Sequence, residues 1–164
     1  MKNARSKVVV TAMLVIGSAC VPATWAASQT KPPPDHVMVV PKDLKWADVP
    51  SLPPGAKITI IEGTLSEAVP FTLRLQFPPN YRVPAHWHPA IEHVTVISGT
   101  INMGVGDKLD EKKSMMLPVG SMAIMQPKTN HFLWTKEGAI TQVHGVGPWA
   151  INYVNPADDP RKKK

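Results

Sequence analysis

The sequence predicts one all-β domain, a sandwich or barrel, preceded by a proline-rich N-terminal arm. Three observations carry this. From Lys57 onward, short β-rich runs alternate with turn signals at intervals of about eight to twelve residues, the spacing of an antiparallel sandwich or barrel. No long stretch after residue 26 shows the 3.6-residue apolar period of a helix. Pro32, Pro33, Pro34, Pro41, Pro50, Pro53 and Pro54 crowd residues 27–56, and proline favours extended chain without ladder hydrogen bonds.

The elements follow in order. Residues 27–56 are expected to form an extended arm with little regular structure, lying along the domain. The strand-like runs are Lys57–Glu62, Phe71–Phe77, Arg82–His88, Glu92–Ser98, Thr100–Val105, Ser114–Leu117, Ser121–Met125, Asn130–Thr135, Thr141–Gly145 and Ala150–Val154. Turns are expected at Pro78-Pro79-Asn80, Ser98-Gly99, Gly106-Asp107, Val119-Gly120 and Glu137-Gly138, where glycine, proline and asparagine supply the needed backbone angles. Pro156 and Pro160 end the last strand, so that the domain is drawn as residues 57–156 and the tail as 157–164.

The first 26 residues read as a signal peptide. Lys2, Arg5 and Lys7 form a basic start, Val8 to Ile16 is apolar, and Thr24-Trp25-Ala26 offers a cleavage site before Ala27. The apolar run is too short for a permanent span. An N-terminal helix that stays attached is one alternative. A lipid-modified Cys20 is another, although Gly17-Ser18-Ala19 lacks an apolar residue three positions before the cysteine. The expectation is a periplasmic or secreted protein with no integral membrane span after cleavage. Cleavage leaves about 140 residues, an ordinary size for one domain.

Charge and cysteine usage exclude several classes. The whole chain is +6, but three cations lie in the signal segment and four in Arg161-Lys162-Lys163-Lys164, which leaves −1 for the rest. The basic balance therefore belongs to the two ends and describes no nucleic-acid-binding face. Cys20 is the single cysteine. The mature chain has no disulfide and no thiolate ligand, and its stability rests on packing and on any metal it holds.

Metal is the chemistry most visible in the sequence. His86 and His88 stand at i, i+2 and so share one face of a strand. Glu92 opens the next strand on the face of Val94 and Val96, and His131 begins another with Leu133 on its own face. Three imidazoles and a carboxylate suit a divalent transition metal and leave one or two positions open for water or substrate at five- or six-coordination. Fe, Mn, Ni, Zn and Cu all accept this set.

The run Asn80-x5-His86-x-His88-x3-Glu92-x6-Gly99 resembles the first motif of the cupins, G-x5-H-x-H-x3,4-E-x6-G, with asparagine in place of the first glycine. The second cupin motif, G-x5-P-x-G-x2-H-x3-N, is met at Gly120 and His131. Gln126 stands for its proline, Lys128 for its second glycine and Thr135 for its asparagine. The resemblance implies a small cupin-type β-barrel or jelly roll with one metal bound by His86, His88, Glu92 and His131. It leaves the reaction open, because cupins include dioxygenases, isomerases, epimerases, lyases, decarboxylases and non-catalytic binding proteins. The runs Gln142–Pro148 and Tyr153–Pro160 are similar to those of exported bacterial single-domain cupins.

Two functional readings stand. In the first, an exported metalloenzyme of dioxygenase, lyase or isomerase type acts on a small oxygen-bearing molecule. Glu92 stays a ligand or swings off as a base, and Gln142 and His144 bind and orient the substrate. In the second, a non-catalytic barrel captures a small molecule or metal in the periplasm. A homodimer paired through the arm is a further expectation. His144 reads either as a cavity-lining proton shuttle or as a satisfied core histidine. His93 faces away from Glu92 and reads as structural, and His36 as solvated. Met103, Met115, Met116, Met122 and Met125 read as core filling. Trp87 and Trp134 read as packing, and residues 107–113 as a solvated charged loop.

Overall fold

The structure is a computed structural model, and it describes residues 36–162. The segment expected to be a signal peptide, Cys20, the first part of the arm and the last two lysines lie outside the described residues. Among the described residues, those from Met38 onward form one compact unit. Its strands are β1 (Ala47–Asp48), β2 (Lys57–Glu62), β3 (Pro70–Phe77), β4 (Tyr81–Trp87), β5 (Glu92–Gly99), β6 (Ile101–Val105), β7 (Met115–Leu117), β8 (Met122–Met125), β9 (His131–Thr135), β10 (Ala139–Val146) and β11 (Asn152–Tyr153).

The strands make two sheets, in the orders β1-β2-β3-β10-β5-β8 and β11-β4-β9-β6-β7. Every pairing is antiparallel. This is the jelly-roll layout of two sheets, built by period-two alternation. Phe71, Leu73, Leu75 and Phe77 alternate inward along β3, Val94 and Val96 along β5, and Ala139, Thr141 and Val143 along β10. Leu73 and Ile101 are fully buried where these rows meet. Among the described residues, no helix is long and apolar enough to cross a membrane.

The turns use the backbone that their residues permit. Gly99 joins the two sheets at φ +70°, and a Cβ there would lie 2.2 Å from the Gly138 carbonyl oxygen. Asn80, which replaces a motif glycine, is itself left-handed at φ 59°, and so is Lys128, at φ 62°. The two departures from the glycine pattern therefore keep the glycine conformation. Thr135 takes up the role of a bridging polar residue: its hydroxyl donates to the Thr100 carbonyl at 2.7 Å and accepts from Gly138 N–H at 3.1 Å.

Three expectations need correction. The arm has more structure than its prolines suggest. Pro41–Asp43 forms a 3₁₀ turn, β1 pairs with β2, and Leu52 and Ala56 are buried in the core. Tyr153 donates its hydroxyl to the Ser51 carbonyl at 2.8 Å, and Tyr81 donates to that of Pro53. The last strand is two residues long, because Trp149 N–H is committed to the Leu65 carbonyl, 2.7 Å away. Met103 is buried and Met125 packs against the core, but Met115, Met116 and Met122 are exposed, since β7 and β8 are sheet edges. The Gly99 geometry makes a firm prediction. Gly99→Ala combines a left-handed angle with a clash against backbone, and should lower unfolding free energy by about 3 kcal/mol in a denaturant titration; a loss below half of that would refute the account of this turn.

Candidate metal centre

The site begins with a break in strand β4. Pro84 offers no N–H to the ladder, and the pairing with β9 shifts register between Val83 and His86. Before the shift Tyr81 and Val83 point inward and Arg82 is exposed; after it His86 and His88 point inward. Bulges of this kind re-aim side chains beside functional sites. Glu92 enters on β5 in phase with Val94 and Val96, and His131 on β9 in phase with Leu133. All four are buried, between 1% and 5% exposed.

His86, His88 and His131 bring one ring nitrogen each within 4.8 Å of the others. Glu92 reaches two of them: Oε1 is 3.4 Å from His88 Nε2, and Oε2 is 3.2 Å from His131 Nε2. Each imidazole is oriented from behind by a backbone carbonyl. His86 Nδ1–H donates to Pro84 O at 2.8 Å, His88 Nδ1–H to Ala150 O at 2.8 Å, and His131 Nδ1–H to Thr129 O at 2.9 Å. A carbonyl only accepts, so each Nδ1 carries the proton and each neutral ring turns the lone pair of Nε2 toward the centre. The loop before His131 is pinned to the same place, since Lys128 N–H donates to His88 O at 2.8 Å.

Electrostatics favours the same state. Burial pushes the His86 pKa well below 6.5, and the charges of His131 and His88 would push it further. Burial also lowers His88, against the opposing pull of Glu92. For Glu92 burial acts upward, but the positive charge of the imidazoles when protonated, His88 foremost, outweighs it and holds the carboxyl at about 2, so that Glu92 ionises first on the way up from acid pH. At neutral pH the centre is a carboxylate beside His86 and His88 held neutral. Their facing atoms are all acceptors, and Glu92 Oε2 and His88 Nε2 have no hydrogen-bond partner. Buried acceptors that face one another without a donor need a cation between them. The donor set therefore fits a divalent transition metal.

The cluster lines a cavity of about 80 Å³. Leu52, Leu75, Val83, Val94, Met103, Leu133, Val143 and Ile151 make its walls apolar. Trp149 stacks on His88 with ring centroids 4.2 Å apart. Sequence reasoning missed Trp149, Thr141 and Leu52 as lining residues; the first and last reach the site through long-range packing, whereas Thr141 was recoverable from strand alternation. Gln142 and His144 are corrected. They occupy the opposite face of β10 from Thr141 and Val143 and are absent from the cavity wall. Gln142 instead accepts from Arg74 Nε–H at 3.1 Å, and His144 stacks on His93, its cross-strand partner, at 4.8 Å.

Residues 34–141 match the family described as the ChrR cupin-like domain. The chain belongs to that family. This cupin is also similar in structure to the polyketide cyclase RemF from Streptomyces resistomycificus, with a TM-score of 0.62 and 16% identity, over 77% of this chain and 91% of that one. An RmlC-like cupin from Shewanella frigidimarina gives a TM-score of 0.54 and 15% identity, over 66% and 87%. A putative ethanolamine utilization protein from Salmonella typhimurium gives 0.55 and 12%, over 68% and 85%. At these identities the likeness is one of fold. Comparison with curated proteins found no significant match.

The buried neutral histidines of this cupin predict a pH dependence. Below 6.5 the unfolded chain binds protons that the folded cluster refuses, so stability rises with pH in that window and falls on acidification. Metal-stripped protein should lose about 2 kcal/mol between pH 7.5 and 5.5, read as a falling melting temperature. His86→Gln should flatten the curve, and an unchanged slope in that variant would contradict the assignment.

Proposed function

We propose that this cupin holds one divalent transition metal through His86, His88 and His131, with Glu92 as the fourth ligand, and acts on a small oxygen-bearing molecule. The observation that carries this reading is the set of inward-facing acceptors left without a donor among the buried imidazoles and Glu92. A bound ion of this class supplies Lewis acidity or, with a redox-active metal, activation of dioxygen. The protein's own residues do the rest. The carbonyls of Pro84, Ala150 and Thr129 hold the imidazole tautomers. The apolar walls exclude water and strengthen each charge interaction. Glu92 is ionised and, among the described residues, is the single carboxylate on the cavity wall; it would hold the ion as a fourth ligand or, left uncoordinated, take up a proton from the bound molecule. Export belongs to the same proposal, supported by the basic, apolar and small-residue order of residues 1–26.

A second reading has its own support. With His144 on the outer face, no acid or base among the described residues lines the cavity apart from the cluster itself. This suits a non-catalytic binding protein of the same metal. Elemental analysis of protein purified from its native compartment is expected to find one metal per chain, and His86→Ala should lose most of it and melt at a lower temperature. Equal metal content and equal melting temperature in that variant would end the proposal. Turnover of any member of a small-molecule panel, abolished by chelation and restored by metal, selects the enzyme; retention without turnover selects the binder.

A further inference from the structure

Two polar atoms on the cavity wall are left over by the metal cluster. Thr141 lies opposite Leu75 on one side and Val96 on the other, is 1% exposed, and has no partner for Oγ1. Valine has the same shape and would fill this place without stranding a hydroxyl in an apolar wall. Trp149 lines the same cavity, and its Nε1–H, a donor only, is also buried without a partner. The two sit at different ends. Trp149 stacks on His88. Thr141 stands level with Val96, four residues along β5 from Glu92, a separation of about 13 Å. The wall between them is apolar, formed by Val94, Val143, Met103 and Leu133.

We propose that the cavity takes an elongated small molecule with an apolar body and one oxygen at each end. The near oxygen meets the metal cluster and accepts from Trp149 Nε1–H. The far oxygen pairs with the Thr141 hydroxyl. An aromatic ring or a chain of about six carbons spans the interval. The near end rests on the metal reading above; the far end, remote from the ligands, is tested separately from it.

The probes are two matched pairs: 4-hydroxybenzoate with 4-methylbenzoate, and 6-hydroxyhexanoate with heptanoate. Each pair keeps the carboxylate and the size and differs in the far oxygen. Titration calorimetry on metal-loaded protein should show the hydroxyl member of at least one pair binding about tenfold tighter. Thr141→Val should abolish that preference, keep the metal, and raise the melting temperature of the ligand-free protein by roughly 2–4 °C. Trp149→Phe, which keeps a ring against His88, should weaken both members of a pair alike. Absence of a hydroxyl preference in both pairs overturns the proposal, as does a preference that survives Thr141→Val or a lowered melting temperature in that variant. Elemental analysis of the same samples separates the two failures. Full metal with no preference refutes the far-end contact alone, and missing metal refutes the cluster.

Discussion

Three hydrogen bonds from histidine Nδ1–H to backbone carbonyls govern the rest of this protein. Without them each imidazole would be free to rotate, to exchange tautomers, or to pair with Glu92 through an N–H. With them, three lone pairs converge on one point in a water-poor interior. The carbonyls come from a bulge, from the loop before β9 and from the segment after β10. The jelly roll is thus the frame that holds three short backbone segments at fixed positions. The apolar walls do a second task, since they deny the cluster the water that would otherwise satisfy it.

Much of this was legible in the sequence where it depended on local periodicity. His86-x-His88, the phase of Glu92 with Val94, and the phase of His131 with Leu133 all follow from alternation along single strands. The strand list was close for the same reason. Simple alternation nevertheless puts His86 on the face of exposed Arg82, and the shift after Val83 is what turns it inward. The histidine spacing and Pro84 were both visible, but their joint effect on parity was not. Gln142 and His144 failed through the same kind of ambiguity. Strand β10 alternates cleanly, yet a polar residue at either phase is compatible with a polar cavity until a partner sheet fixes which side is in.

The illegible parts are those made by distant chain. Leu52 sits in a proline-rich stretch that carries no strand signal, yet it packs in the core beneath two tyrosine hydroxyls. Ala150 offers a carbonyl to a histidine 62 residues earlier. Neither contact has a local pattern. The motif departures were ambiguous in a different way. Asn80 and Lys128 break a glycine rule in letters while meeting it in backbone angle; side-chain identity was readable, whereas conformation was not.

The bond from His88 to Ala150 sets the order of events in the life of the molecule. The orienting carbonyl for a histidine near the middle of the chain is supplied close to its end, and Tyr153, later still, is tied back to Ser51. On a ribosome, the first nine-tenths of the polypeptide carry the histidines but lack the group that aims one of them. The complete cluster of aimed imidazoles therefore arises only after synthesis is nearly finished. Whichever compartment hosts that last step is where the buried donor cluster first takes its final form.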